Sequence, residues 1–143
     1  MTSSGELIRN YPEEETGFYF LDAGKAGQFY FMTGYAAAFL ATMHLLSGKP
    51  DYLSCAQRYF DFTIATTGVY ESHFSHKLAW GASLLYRITG EQKYRKAAMR
   101  VADFILGMQD ENGQWFSGTP PHVYLDQAAE CGIWLRTIAA ELA

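Results

Sequence analysis

The sequence predicts an all-α fold in which helical hairpins build an inner and an outer layer, a partial α/α-toroid. Three observations carry this: an internal repeat, an alternation of nearly all-apolar with amphipathic helices, and a contrast between tight and long connections. Ser47-Gly48-Lys49-Pro50 aligns with Thr89-Gly90-Glu91-Gln92, a step of 42 residues. The same register lays Tyr52 on Tyr94, Ala56 on Ala98 and Phe62 on Phe104. Periods of this size denote stacked helical hairpins.

Taken in order, residues 1–28 are polar and Gly-rich, with an acidic run at Glu13, Glu14 and Glu15. They read as a leading arm, with a short extended piece at Gly17 to Leu21. Residues 29–143 read as the helical-hairpin domain. The stretch 29–47 is apolar nearly all round, the mark of a helix buried on most of its surface. In 50–66, Tyr52, Leu53, Ala56, Tyr59, Phe60 and Ile64 form one apolar stripe, with Ser54, Gln57, Arg58 and Asp61 opposite. The pair returns as an apolar 76–89 and an amphipathic 91–108, and 124–142 opens a third unit. Pro50 suits a first helical turn, and Thr89 with Gln92 fits a capping box. In an open solenoid both helices of each unit would be comparably amphipathic. The asymmetry here places 29–47, 76–89 and 124–142 in an inner layer.

Composition narrows the function classes. The net charge is −4 and Lys and Arg form no cluster, which excludes a nucleic-acid footprint. No basic region followed by an apolar run opens the chain, and no apolar stretch approaches the ~20 residues that span a bilayer. Cys55 and Cys131 lie within helical patterns at no metal-ligand spacing, so they read as buried free thiols in a reducing compartment, the cytoplasm. An aromatic content of 16% is high for a plain bundle and points either to large side chains filling the space between helices or to an aromatic-walled pocket.

The segment Phe104-Ile105-x-x-x-Gln109-x-x-x-Gly113-x-Trp115 resembles the QW repeat of the squalene–hopene and oxidosqualene cyclases. In that family the Gln closes an outer helix and stacks on the Trp, so the resemblance implies a structural role for Gln109 and Trp115. Similar hairpins with a Gln-x-x-x-Gly turn occur in six-hairpin glycosidases, unsaturated-glucuronyl hydrolases and sugar epimerases. The resemblance covers residues 30–143 and implies a toroid enzyme. It departs from the cyclases in lacking an Asp-x-Asp-Asp acid motif. Toroids of these families close with five to seven hairpins, whereas this chain supplies two and a half. A homo-oligomer, or a longer chain, is therefore expected to complete the ring, because so large an apolar edge is not normally left in water.

Loop lengths point to the working end. The turns at 47–50 and 89–91 are tight, while the connections after Ala65 and after Met108 are long and so are expected to carry function. They lead to the N-terminal ends of the inner helices, where backbone N–H groups and the positive dipole ends face a central cavity. The polar residues there are Tyr30, Thr33, His73, Ser75, His76, Lys77, His122, Tyr124, Asp126, Gln127 and Glu130. Asp126 and Glu130 stand one turn apart on an otherwise apolar helix, which costs energy unless they are paired or used. With His73 and His76 they are the candidate acid–base residues; the alternative is that Asp126 caps its helix and Glu130 pairs with Lys77 or Arg136. Tyr30, Tyr35, Trp80, His122 and Tyr124 are the candidate substrate contacts. No metal site and no cofactor is expected. His44 reads as a hydrogen-bonded core histidine.

The leading expectation is an enzyme that works by acid–base chemistry on an organic substrate in an aromatic-lined cavity, a cyclase or isomerase. The alternatives are a carbohydrate-active hydrolase, lyase or epimerase, and a non-catalytic helical interaction module. Pocket character separates the first two: sugars need convergent hydrogen-bonding groups, a polyene needs an apolar wall.

Overall fold

The computed structural model describes residues 20–143; most of the expected arm, with the acidic run and Gly17 to residue 19, lies outside the described residues. Five α-helices follow one another: α1 Phe31–Ser47, α2 Pro50–Ile64, α3 His76–Thr89, α4 Gln92–Gly107 and α5 Pro121–Leu142. Two single 3-10 turns, Val69–Glu71 and His73–Ser75, lead into α3, and no strand occurs among the described residues. The last helix starts three residues before the expected 124, because Pro121 is pre-shaped for the first helical turn.

The sequence repeat corresponds to a repeated turn. At the end of α1, Gly48 takes φ 69° and returns its N–H to the His44 carbonyl at 2.8 Å. At the end of α3, Gly90 takes φ 72° and bonds Tyr86 at 2.7 Å. Only glycine enters this left-handed region without steric cost. The Ser47 and Thr89 hydroxyls donate to the carbonyls four residues back, at 2.6 and 2.8 Å, and accept the N–H two residues on. The capping box expected at Thr89 and Gln92 is therefore absent. The N-cap of α4 is Glu91, and the Thr89 hydroxyl serves the orphan carbonyls of the helix it ends.

α3 is the central element and packs against α1, α4 and α5. It is buried from His76 to Leu85 except at Trp80, and each large apolar side chain so removed from water contributes about 1.5–3 kcal/mol. Small residues let α1 approach it closely. A Cβ on Gly34 would lie 2.4 Å from the Leu78 nitrogen, and one on Gly81 would meet the Ala38 nitrogen at 3.2 Å. α5 lies along the other side in parallel register, since His76–Glu130, Trp80–Trp134 and Arg87–Glu141 all keep a 54-residue offset. α5 has 22 residues against 14 in α3. The two end level, so the extra length, ~12 Å at 1.5 Å per residue, projects past the start of α3.

α2 and α4 are amphipathic as expected and each keeps a solvent face, with Phe60 and Tyr94 meeting edge to face at 4.8 Å. The expectation of apolar helices covered on all sides holds only for α3. On α1, Phe39 is 61% and Leu46 78% exposed, and on α5 Leu125 is 65% and Ile133 59% exposed.

The long connections are ordered by local bonds. Thr67 donates its N–H to the Ala23 carbonyl at 2.9 Å, and the Tyr30 hydroxyl donates to the Thr67 carbonyl at 2.6 Å. These bonds tie the segment before α1 to the α2–α3 connection. After α4, the Trp115 indole N–H donates to the Ile105 carbonyl at 2.7 Å, whereas Gln109 donates to Gly113 at 2.8 Å within its own loop. The expectation that Gln109 serves the helix end is corrected: the indole reaches back to the last turn of α4, and the amide closes the loop. His44 is half-buried at the end of α1, its Nδ1 2.9 Å from the Lys49 carbonyl, and does not belong to the core. No helix among the described residues is long and apolar enough to cross a membrane.

Candidate functional site

A cavity of about 180 Å3 opens where the N-terminal ends of α3 and α5 meet α1. Phe31, Tyr35 and Phe74 form its apolar wall, and His76, Lys77, Asp126, Gln127 and Glu130 supply its polar groups. Three of the four candidate acid–base residues therefore line one space, because Glu130 lies level with the start of α3 and the overhang of α5 carries Asp126 beyond it.

At the floor, His76, Lys77 and Glu130 form a closed cluster. Glu130 Oε2 accepts from the Lys77 ammonium, accepts the Trp134 indole N–H at 2.6 Å, and lies 3.1 Å from His76 Nε2. Lys77 Nζ also stands 2.6 Å from His76 Nε2. Its charge lies over the rings of Trp134 and Tyr35, 4.6 and 5.0 Å from their centroids, an attraction to the negative ring faces. Trp134 is in turn stacked on Trp80 at 4.6 Å. The Lys77 side chain is 3% exposed and that of Glu130 35%, so the ammonium is buried and the carboxylate partly wet.

The network assigns the state of His76. Its Nδ1 faces the His73 carbonyl, an acceptor only, so Nδ1 carries the proton. Nε2 then presents its lone pair to the Lys77 ammonium, a donor only. Burial holds the His76 pKa below its ordinary value, and the neighbouring Lys77 charge adds to this. The His73 carbonyl and Glu130 work the other way without reversing it. For Glu130, burial alone would raise the pKa. The bonds from Lys77 and Trp134, with the charge of Lys77, outweigh burial and hold the carboxyl below its ordinary value. The Cys131 thiol is pushed up to about 11, by burial first and by the Glu130 charge second, which leaves it unreactive near neutrality.

The remaining sequence candidates fall elsewhere. His73 lies against Phe74 and Phe116, with ring centroids 4.0 and 4.9 Å away, and lines a separate hollow with Glu71, Phe104 and Met108. It reaches the cavity only through its carbonyl and a bond to Gln127, and burial lowers its pKa. Tyr30 is fully buried with its hydroxyl committed to Thr67, so it offers nothing to a ligand. Trp80 supports Trp134 from below; His122 is exposed and Tyr124 half-buried on α5, and neither lines the cavity. Asp126 is exposed at the rim and accepts from Gln127 at 2.7 Å, so it does not cap α5. Lys77, offered by the sequence only as an ion-pair partner, and Trp134 prove to be central to the cluster. Among the described residues no group of three or more His, Cys, Asp or Glu is placed to hold a metal ion.

No known protein family, curated protein or solved structure matches the chain.

Proposed function

We propose that the chain is a toroid-type helical enzyme that moves a proton on a small, hydroxylated, carbohydrate-like substrate. The observation that carries this is the cluster at the cavity floor, where an imidazole lone pair and a carboxylate share one buried ammonium. His76 Nε2 takes a proton from the substrate, and the imidazolium so formed donates to Glu130, already 3.1 Å away. Returning that proton to another face or atom of the substrate completes an isomerisation or an elimination. Asp126 and Gln127 at the rim bind hydroxyl groups, and Tyr35, Phe31 and Phe74 take the apolar face of the ring.

Size and polarity favour this over cyclisation of a polyene. The cavity is smaller than the ~300–1,000 Å3 that holds drug-sized ligands, and five of its eight lining residues are polar. The toroid reading is supported by the parallel α3–α5 pairing, by the close α1–α3 contact and by the solvent faces of α2 and α4. The exposed Phe39, Leu46, Leu125 and Ile133 support a homo-oligomer that covers them.

The test is exchange of substrate C–H for deuterium from D2O, followed by NMR across aldoses, ketoses and uronic acids. At least one substrate is expected to exchange, and His76→Asn or Glu130→Gln is expected to slow exchange ~100-fold with the helical spectrum unchanged. Exchange that survives both substitutions would remove the cluster from the chemistry.

A further inference from the structure

Lys77 has more partners than an ion pair requires. Its ammonium sits on the Glu130 carboxylate and, at 2.6 Å, on the lone pair of His76 Nε2, at the floor of a cavity walled by aromatic rings. A lysine that only neutralised Glu130 would need no second acceptor. An amine that must lose a proton before attacking carbon does need one, and an amine beside a base in a water-poor pocket is an activated nucleophile.

We propose that Lys77 forms an imine with the carbonyl carbon of an aldehyde or ketone, such as the open-chain form of a sugar. This rests on the cavity being the substrate site. The Lys77 ammonium first gives a proton to His76 Nε2, and the imidazolium pairs with Glu130. The Nζ lone pair then attacks the carbonyl carbon, and the C=O π electrons move to oxygen, which takes the proton from His76. The carbinolamine oxygen takes a second proton from nitrogen by way of His76 and leaves as water, while the remaining nitrogen lone pair closes the C=N bond. Ammonium and carbonyl thus become a protonated imine and water with no change of charge, and the iminium inherits the contact with Glu130. The rings of Tyr35 and Trp134, which already face the ammonium, face the iminium as well.

The native chain tests this without any substitution. It is treated with glycolaldehyde and cyanoborohydride, sampled over time and mapped by peptide mass spectrometry. Lys77 is expected to gain the hydroxyethyl group ahead of Lys25, Lys49, Lys93 and Lys96, although it is by far more buried than Lys25 or Lys93. His76→Asn is expected to slow trapping at Lys77 ~100-fold and to leave the other four lysines unchanged. Labelling of Lys77 at or below the rate of the others overturns the proposal. If deuterium exchange proceeds and Lys77 is not trapped, the imine fails and non-covalent proton transfer stands. If Lys77 is trapped while no substrate exchanges, the imine stands and the proton-transfer reading fails.

Discussion

Replacing Gly34 by alanine tests the contact that positions the cluster. In an exposed helix interior this change stabilises by about 1 kcal/mol, since alanine is the better helix former. At position 34 the added Cβ would lie 2.4 Å from the Leu78 nitrogen, 2.7 Å from the Lys77 carbonyl carbon and 2.9 Å from Lys77 Cβ. Ordinary contact begins near 3.4 Å, so α1 and α3 must part by roughly 1 Å, and the obstruction is backbone that no rotamer change can clear. Overpacking of this kind costs about 1–3 kcal/mol and occasionally more, which leaves a net loss of up to ~2 kcal/mol after the helix-propensity gain. At roughly 3 °C per kcal/mol for a chain of this size, Gly34→Ala is expected to lower the melting temperature by several degrees. Gly132, within α5, has nothing within 4 Å of the same added atom, and Gly132→Ala is expected to raise it. The assay is thermal melting of both variants by circular dichroism. A rise for both would show that α1 and α3 do not cross as closely as described.

Two further outcomes follow from the charges and the exposed faces. Burial holds His76, and likewise His73, below the ordinary histidine value of 6.5, so the unfolded chain takes up protons first and stability falls as pH drops below 6.5. Glu130 is held below the ordinary 4.5, so its contribution is present above that value and is lost as pH falls through the native pKa; His76→Asn should shrink the first stage and Glu130→Gln the second, and a melting temperature flat from pH 7 to 5 would refute the histidine assignment. Sedimentation is expected to show a two-fold dimer, because closed symmetry covers the exposed apolar faces of both copies, and a monodisperse monomer would refute this.

What the sequence made legible was whatever depends on periodicity and local turn chemistry. The Ser47-Gly48 and Thr89-Gly90 junctions marked two helix ends correctly because glycine at a left-handed turn is a local requirement. The helical character of the chain and the amphipathic faces of α2 and α4 could be read from apolar patterning, and Asp126, Glu130 and His76 from polar residues interrupting it. Lys77 was underrated because neighbouring residues at a helix start diverge, and pattern alone does not tell which of His76 and Lys77 turns inward. Here both do, since Gly34 leaves room for the α3 backbone to sit deep against α1. Tyr30 was misplaced because its partner is a carbonyl 37 residues away, a non-local bond that no spacing announces. Trp134 lies in an apolar stretch, and only the register of α5 on α3 brings its N–H to Glu130. A further signal lies in small residues: Gly34, Ala37 and Ala38 on α1 face Gly81 on α3, a pattern that foretells close helix approach.

The overhang of α5 leaves the two parts of that helix unequally braced. Below Glu130 the helix is fixed to α3 by Trp134 on Trp80 and by the Arg87–Glu141 pair, while above it the segment carrying Asp126 and Gln127 has no equivalent length of α3 alongside. A tilt of only about 5° over ~12 Å of helix shifts its tip by roughly 1 Å, enough to admit or exclude a methylene group. Rim and floor therefore rest on different stretches of one helix: Asp126 and Gln127 line the mouth, and Glu130 meets His76 and Lys77 at the base.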